Sequence, residues 1–317
     1  MPDLSVQLGP LRLNHPVINA SGTMEIFELA ETFGPHVLER PPVGAYVPKT
    51  VTLKPRAGNP PPRILETVGG MINAIGLPGP GLDAFVAEEL PRLLGLPCPL
   101  IISIGGFSAD EYLVLAGGIR DALTRLTGDG WTGRVGLELN ISCPNVHSGC
   151  ASIGSDTHET GELVKTIRKT WPGLLVVKLT PNVADIAAIG RAAASAGADA
   201  IAAVNTYKGL VIDRLTLRPY LGNITGGVSG PAIKPLALRA VYELFGAVEV
   251  PIIGMGGIAT VEDVLEFMSC GAGVVAVGSA GFREPGLASV LAHRLGAALD
   301  ERGLTPAGLL GLAHRSA

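Results

Sequence analysis

Aromatic residues make up only 4% of this 317-residue chain and charged residues only 16%. No run of lysines or arginines is interleaved with aromatics and the formal net charge is -4, so no surface for nucleic acid is marked. Cysteine is scarce. Cys98, Cys143, Cys150 and Cys270 include no C-x-x-C pair, which leaves no spacing for a zinc or iron-sulfur site, and a reducing compartment would keep all of them as thiols. Long hydrophobic runs are missing too: the uncharged stretches 96–109 and 267–282 are broken by proline or glycine and are too irregular to span a bilayer. The opening MPDLSVQLGPLRL lacks the basic start and apolar run of a secretory signal. The expectation is a soluble cytoplasmic protein, free of metal, whose partners are small molecules or proteins.

Glycine is what the chain has in quantity. With 43 glycines and 47% hydrophobic residues, it reads as an α/β protein with many tight turns, large enough for one barrel or two ordinary domains. The low charge points to a surface partly covered by another subunit.

Residues 134–149, RVGLELNISCPNVHSG, hold the densest chemistry. Val135, Leu137, Leu139 and Ile141 alternate with smaller or polar residues, as in a strand, and the strand runs into a Ser-Cys-Pro-Asn turn. Cys143 therefore falls on a loop that Pro144 stiffens, flanked by the amide side chains of Asn140 and Asn145. Taken alone, an unpaired cysteine is most often a small buried hydrophobe. The rest of the chain changes that reading.

In order along the chain, strands are predicted at 17–21, 45–52, 99–104, 135–141, 174–180, 200–206, 250–254 and 273–278. Helices are predicted at 83–94, 108–126, 156–170, 184–196, 232–245, 260–270 and 287–301. Segments 71–81 and 222–235 read as glycine-rich loops. No linker interrupts the alternation, which predicts an α/β fold, a single (β/α)8 TIM barrel over 1–317. A doubly wound sheet would need neither the eighth strand nor glycine turns after both of the last two. Ser21, Lys49, Asn140, Cys143, Lys178, Asn205 and Thr206 fall at or near C-terminal strand ends, where barrels place their chemistry. A lysine inside a strand, such as Lys49, either snorkels outward or faces an anion. The turns GMGGI at 254–258 and VGSA at 277–280, each before a helix, predict a phosphate site built from backbone amides.

At this point the residues resemble the dihydroorotate dehydrogenase family, and within it the class 1B flavoprotein subunits. The matching pieces are NASGT, KTVTLKPRAGNPPPR, NAIGLPGPGLD, ELNISCPNV, VKLTPNVAD, VNTYKG, TGGVSGPAIKP, IIGMGGIATVEDVLEF and AVGSA, in order over about 17–282. The resemblance implies FMN at the top of the barrel and oxidation of (S)-dihydroorotate to orotate in pyrimidine synthesis. It makes Cys143 the general base for the C5 proton while hydride leaves C6 for flavin N5, and sets Lys178 beside the flavin pyrimidine edge. Lys49 would meet both the orotate carboxylate and FMN, while Asn73, Gly76, Leu77, Asn140, Asn145, Asn205 and Thr206 would bracket the substrate ring. Gly256, Gly257, Gly278 and Ser279 would hold the phosphate, with Ser21, Thr50, Ser103, Asn140, Val204 and Gly230 completing the FMN site.

Three positions depart from the family pattern. Ser103-Ile104-Gly105-Gly106 stands where a motif like ANVAG is usual, so an asparagine amide is replaced by a hydroxyl; Ser279 stands for threonine; Cys150 stands for glycine. Class 1B subunits form a homodimeric core and pair with a second subunit carrying FAD and a [2Fe-2S] cluster, which hands electrons to NAD+. Class 1A enzymes reduce fumarate and also lack cluster ligands. Rival readings are a uracil-type dihydropyrimidine reductase, whose SCPHG differs from the SCPNV at 142–146, and a flavin- or phosphate-binding barrel without turnover.

Overall fold

The computed structural model describes residues 2–142 and 153–315, and it starts with a short antiparallel hairpin, β1 (Val6–Leu8) and β2 (Leu11–Leu13). The hairpin buries Leu8, Leu11 and Leu13 completely. Seven parallel strands follow through the chain: β3 (Val17–Asn19), β6 (Leu100–Ile104), β7 (Val135–Asn140), β8 (Leu175–Lys178), β9 (Ala200–Ala203), β12 (Ile252–Met255) and β13 (Ala272–Val277). Their order, β3-β13-β12-β9-β8-β7-β6, is that of a curled sheet whose two edges approach each other. Residues 44–51 fill the gap. Tyr46 and Val51 bridge Leu100 and Ile104 of β6, and on the other side the Gly44 amide donates to the Val17 carbonyl at 2.9 Å.

The sequence predicts a regular eighth strand here, and the segment instead makes isolated bridges. Pro48 has no amide to offer a ladder, and the Asn19 side chain substitutes for one. Its Nδ2 donates to the Val47 carbonyl at 2.7 Å and its Oδ1 accepts from the Val47 amide at 2.9 Å.

Period-two alternation sorts the strand residues into two cores. Ile18, Val47, Ile101, Val176, Ala202, Ile253, Met255 and Ala276 face the barrel axis with the three hairpin leucines beneath them. Leu137, Leu139, Val177, Ile201 and Val275 face outward onto the helices. Those are α1 (Ile26–Phe33), α2 (Ala109–Thr127), α3 (Thr157–Thr170), α4 (Ile186–Ser195), α5 (Lys234–Phe245), α6 (Val261–Ser269) and α7 (Leu287–Glu301), with a further helical stretch over 82–94. Side-chain caps fix several starts: Ser108 accepts from the Glu111 amide, Asp156 from Glu159 and Asp185 from Ala188. Among the described residues no helix is long and apolar enough to cross a membrane.

Above the C-terminal ends of the strands lies a second sheet that the sequence does not predict. Its strands β4 (Ile64–Thr67), β5 (Gly70–Asn73), β10 (Tyr207–Leu210) and β11 (Thr225–Ser229) pair antiparallel in the order β10-β11-β5-β4. β5 and β11 fall in the segments that read as glycine-rich loops. The glycines are there for close approach: a Cβ at Gly227 would collide with the Thr206 side chain, and one at Gly226 would come within 2.5 Å of the Asn73 carbonyl.

Candidate active site

A cavity of about 360 Å³ opens between the barrel top and the antiparallel sheet. Every expected site residue among the described residues lines it except Ser103: Ser21, Lys49, Thr50, Asn73, Gly76, Leu77, Asn140, Lys178, Val204, Asn205, Thr206, Gly230, Gly256, Gly257, Gly278 and Ser279. They come from strand ends and loops spread over the whole chain, and only barrel closure brings them together. Cys143 and Asn145, expected on the loop after β7, lie outside the described residues, as does Cys150.

One wall is a continuous chain of hydrogen bonds with a defined direction. Ser21 Oγ donates to the Pro48 carbonyl at 2.9 Å, so in its 3.0 Å contact with Thr50 Oγ1 the threonine is the donor. Thr50 has then used its proton and accepts from Ser103 Oγ at 3.0 Å and from Asn140 Nδ2 at 3.2 Å. Asn140 Oδ1 accepts from Ser142 Oγ at 3.1 Å, and Ser142 Oγ accepts from Asn205 Nδ2 at 2.8 Å. Asn205 Oδ1 finally takes the Thr206 amide at 2.8 Å. Each side chain of this wall is thereby held by at least one hydrogen bond, which fixes the rotamers that face the cavity and leaves further polar capacity for a ligand.

Ser103 does not itself line the cavity: it is fully buried in the barrel interior, and its hydroxyl is hydrogen-bonded to that of Thr50, which does.

Among the described residues two lysines line the cavity, Lys49 and Lys178. Lys49 lies against the backbone of Gly22, and its charge pulls the Glu25 carboxyl down, although burial, the largest influence, and neighbouring Glu28 leave that carboxyl above its ordinary range. Lys178, at the end of β8, pairs across the ladder with Asn140 and is buried at the cavity floor. Glu138, two residues before Asn140, lies 4.0 Å from the Lys178 ammonium. The sequence patterns do not mark Glu138 or Ser142 as site residues; a glutamate in the middle of a strand between leucines is the signal for the first.

At the other end of the cavity Gly256 and Gly257, at φ +128° and +81°, turn the chain in a way that L side chains resist. The expectation that the following helix offers free N-terminal amides is only partly met. Thr260 caps α6 in a capping box, and Asp263 Oδ2 takes the amides of Ala259 and Thr260, both at 2.8 Å. The glycine turns themselves, through Gly256, Gly257, Gly278 and Ser279, line this end of the cavity. Burial pushes the Asp263 carboxyl up, but the Lys234 ammonium at 2.6 Å and the two amides outweigh it and hold it below its ordinary value. Hydrogen bonds to Asp263 and Glu266 raise Lys234 in turn. The donor set as a whole suits a flat, polar heterocycle at the hydroxyl and amide wall, an anionic group near the lysines and a phosphate at the glycine turns.

Comparison with known proteins shows the family. The sequence profile described as "Dihydroorotate dehydrogenase" matches residues 3–299. The catalytic subunit of dihydroorotate dehydrogenase B (NAD(+)) from Desulforudis audaxviator is 47% identical over 313 residues, covering 98% of each chain. The same subunit from Pelobacter propionicus is 45% identical over 304 residues, covering 96% of this chain and 95% of that one. Among solved structures, a DHODH from Eimeria tenella in complex with ferulenol superposes with a TM-score of 0.76 at 25% identity, over 100% of this chain and 90% of that one.

Proposed function

The chain belongs to the dihydroorotate dehydrogenase family, and from that premise we propose that its cavity binds FMN and oxidises (S)-dihydroorotate to orotate in pyrimidine synthesis. One observation carries the site assignment: the expected residues that are described, Ser103 apart, line a single cavity at the C-terminal ends of the barrel strands. The residues present fit the cofactor. A Cβ built on Gly278 meets nothing nearer than Ala20 at 4.0 Å, so a side chain there would project into the space a phosphate needs. Gly256, Gly257 and Ser279 complete that end, and Ser21, Thr50, Asn140 and Lys178 offer hydroxyl, amide and ammonium groups to the polar edge of the ring system.

When bound, FMN supplies the acceptor for the hydride leaving substrate C6. The chain's own residues do the rest. Lys49 neutralises the substrate carboxylate, and Asn73, Asn140, Asn205 and Thr206, together with Asn145, hold the ring by its imide and amide edges. Cys143, which follows Ser142 in the sequence, removes the C5 proton, so that loss of hydride and proton leaves the C5–C6 double bond. Lys178 faces the negative charge that arrives with the hydride. Electrons then pass to NAD+ through a partner subunit carrying FAD and a [2Fe-2S] cluster, a division supported by the "catalytic subunit" in the names of the relatives.

The test is anaerobic addition of dihydroorotate to the purified yellow protein, following bleaching of the flavin absorbance. Rapid bleaching that slows by about 10²–10⁴-fold in Cys143→Ala is the expected result. A flavin that stays oxidised with dihydroorotate present would overturn the assignment.

A further inference from the structure

β7 carries a carboxylate for which the reaction above has no use. Glu138 points into the barrel between the outward-facing Leu137 and Leu139 and is 4% exposed. Its ladder neighbours are Ser103 on β6 and Val176 on β8, and the surrounding inner core is apolar. Among the described residues its Oε1 accepts no hydrogen bond. Lys178 is the one cation within ion-pair distance of it among those residues, with Nζ at 4.0 Å and the two side chains 6% and 5% exposed. Lys178 lines the cavity and Glu138 does not, so the carboxylate lies one inward-facing position deeper, beneath the ammonium.

A buried carboxylate short of donors is costly, and exchanging a buried ion pair for apolar residues of similar volume is often neutral or stabilising. Packing therefore does not call for Glu138. Its location does supply a reason. We propose that Glu138 is a positioning residue that holds the Lys178 ammonium at the cavity floor and partly cancels its charge, which sets how strongly the bound flavin retains electrons. The inference rests on the FMN reading given above. Two electrons and one proton taken up by FMN leave the reduced ring with one negative charge. A lysine with no opposing charge would stabilise that form strongly and turn the cofactor into a sink. The carboxylate beneath it weakens the pull, so that electrons received from the substrate can be passed to the next carrier.

Two experiments separate this inference from the reading beneath it. In the FMN-loaded full chain, anaerobic spectroscopic titration against reference dyes at neutral pH measures the midpoint potential of wild type, Glu138→Gln and Glu138→Met. Both variants remove the charge, one keeping shape and one matching the apolar surroundings, so loss of folding in one leaves the other to decide. The expected result is a shift toward the reduced flavin of about tenfold, ~30 mV more positive for a two-electron couple. An unchanged or more negative potential would overturn the electrostatic role. Without flavin, a double-mutant cycle of Glu138→Met with Lys178→Met reads the pair directly by urea unfolding. The double variant should be destabilised less than the sum of the two single ones, and strict additivity would refute the pairing. A chain that takes up no FMN would sink the cofactor reading and the electronic role with it, while the cycle still decides whether the two side chains interact.

Discussion

Burial suppresses the reactivity of the two thiols among the described residues. Desolvation pushes the Cys98 thiol up to about 11 and raises Cys270 above its ordinary value. At pH 7.5 very little Cys98 is then thiolate, the form that attacks an alkylating agent. Brief treatment with iodoacetamide at that pH, followed by peptide mass spectrometry, is therefore expected to leave Cys98 and Cys270 largely unlabelled. Label would appear first on the peptide holding Cys143 and Cys150, and FMN plus orotate would protect it if Cys143 faces the substrate. Early labelling of Cys98 would contradict the burial on which this argument stands.

Among the helices, α6 shows most clearly how sequence sets an element and an element serves the site. Asp263 closes its N-terminus, takes two backbone amides and pairs with Lys234 of α5, and α6 begins directly after the glycine turn expected to hold phosphate. Because the folded carboxyl titrates below its unfolded value, its stabilisation is complete above the unfolded carboxylate range and is lost as pH falls through the folded value. Asp263→Asn is accordingly expected to lower stability by about 1–3 kcal/mol at pH 7 in urea unfolding, and the two proteins should converge as the pH is lowered toward 3. Such capped helices were legible from the sequence because Ser108, Asp156 and Thr260 stand directly before periodic apolar runs. The parallel strands were legible for a similar reason, since their outward faces are strings of leucine, isoleucine and valine. β5 and β11 were not. Their glycines are selected by close approach to Thr206 and Asn73, contacts between residues far apart in sequence that no local pattern records. Glu138 is not legible in the sequence because its partner, Lys178, is forty positions on and becomes a neighbour only when β7 and β8 pair. The cavity-lining residues were found through the resemblance to a family; spacing alone indicated which strand ends they occupy.

At the scale of the whole molecule, the two ends of the barrel do different work. The hairpin leucines close the N-terminal end, where Leu11 is completely buried, and the cavity opens at the opposite end. Leu11→Ala is expected to cost about 2–5 kcal/mol in unfolding while leaving the flavin spectrum and the rate of bleaching by dihydroorotate near wild type. A comparable loss of bleaching rate in the folded variant would show that the two ends are coupled. The closure of the barrel has a different bearing on the site. Viewed as topology, the strands form a ring with a seam, and the seam runs between β3 and residues 44–51, where Asn19 stitches what a ladder does not. Ser21 stands on one lip of that seam and Lys49 and Thr50 on the other, joined by the Ser21–Thr50 bond. The contacts that close the ring thus also build the wall proposed to face the cofactor, so for this chain closure of the barrel and construction of that wall depend on the same side chains.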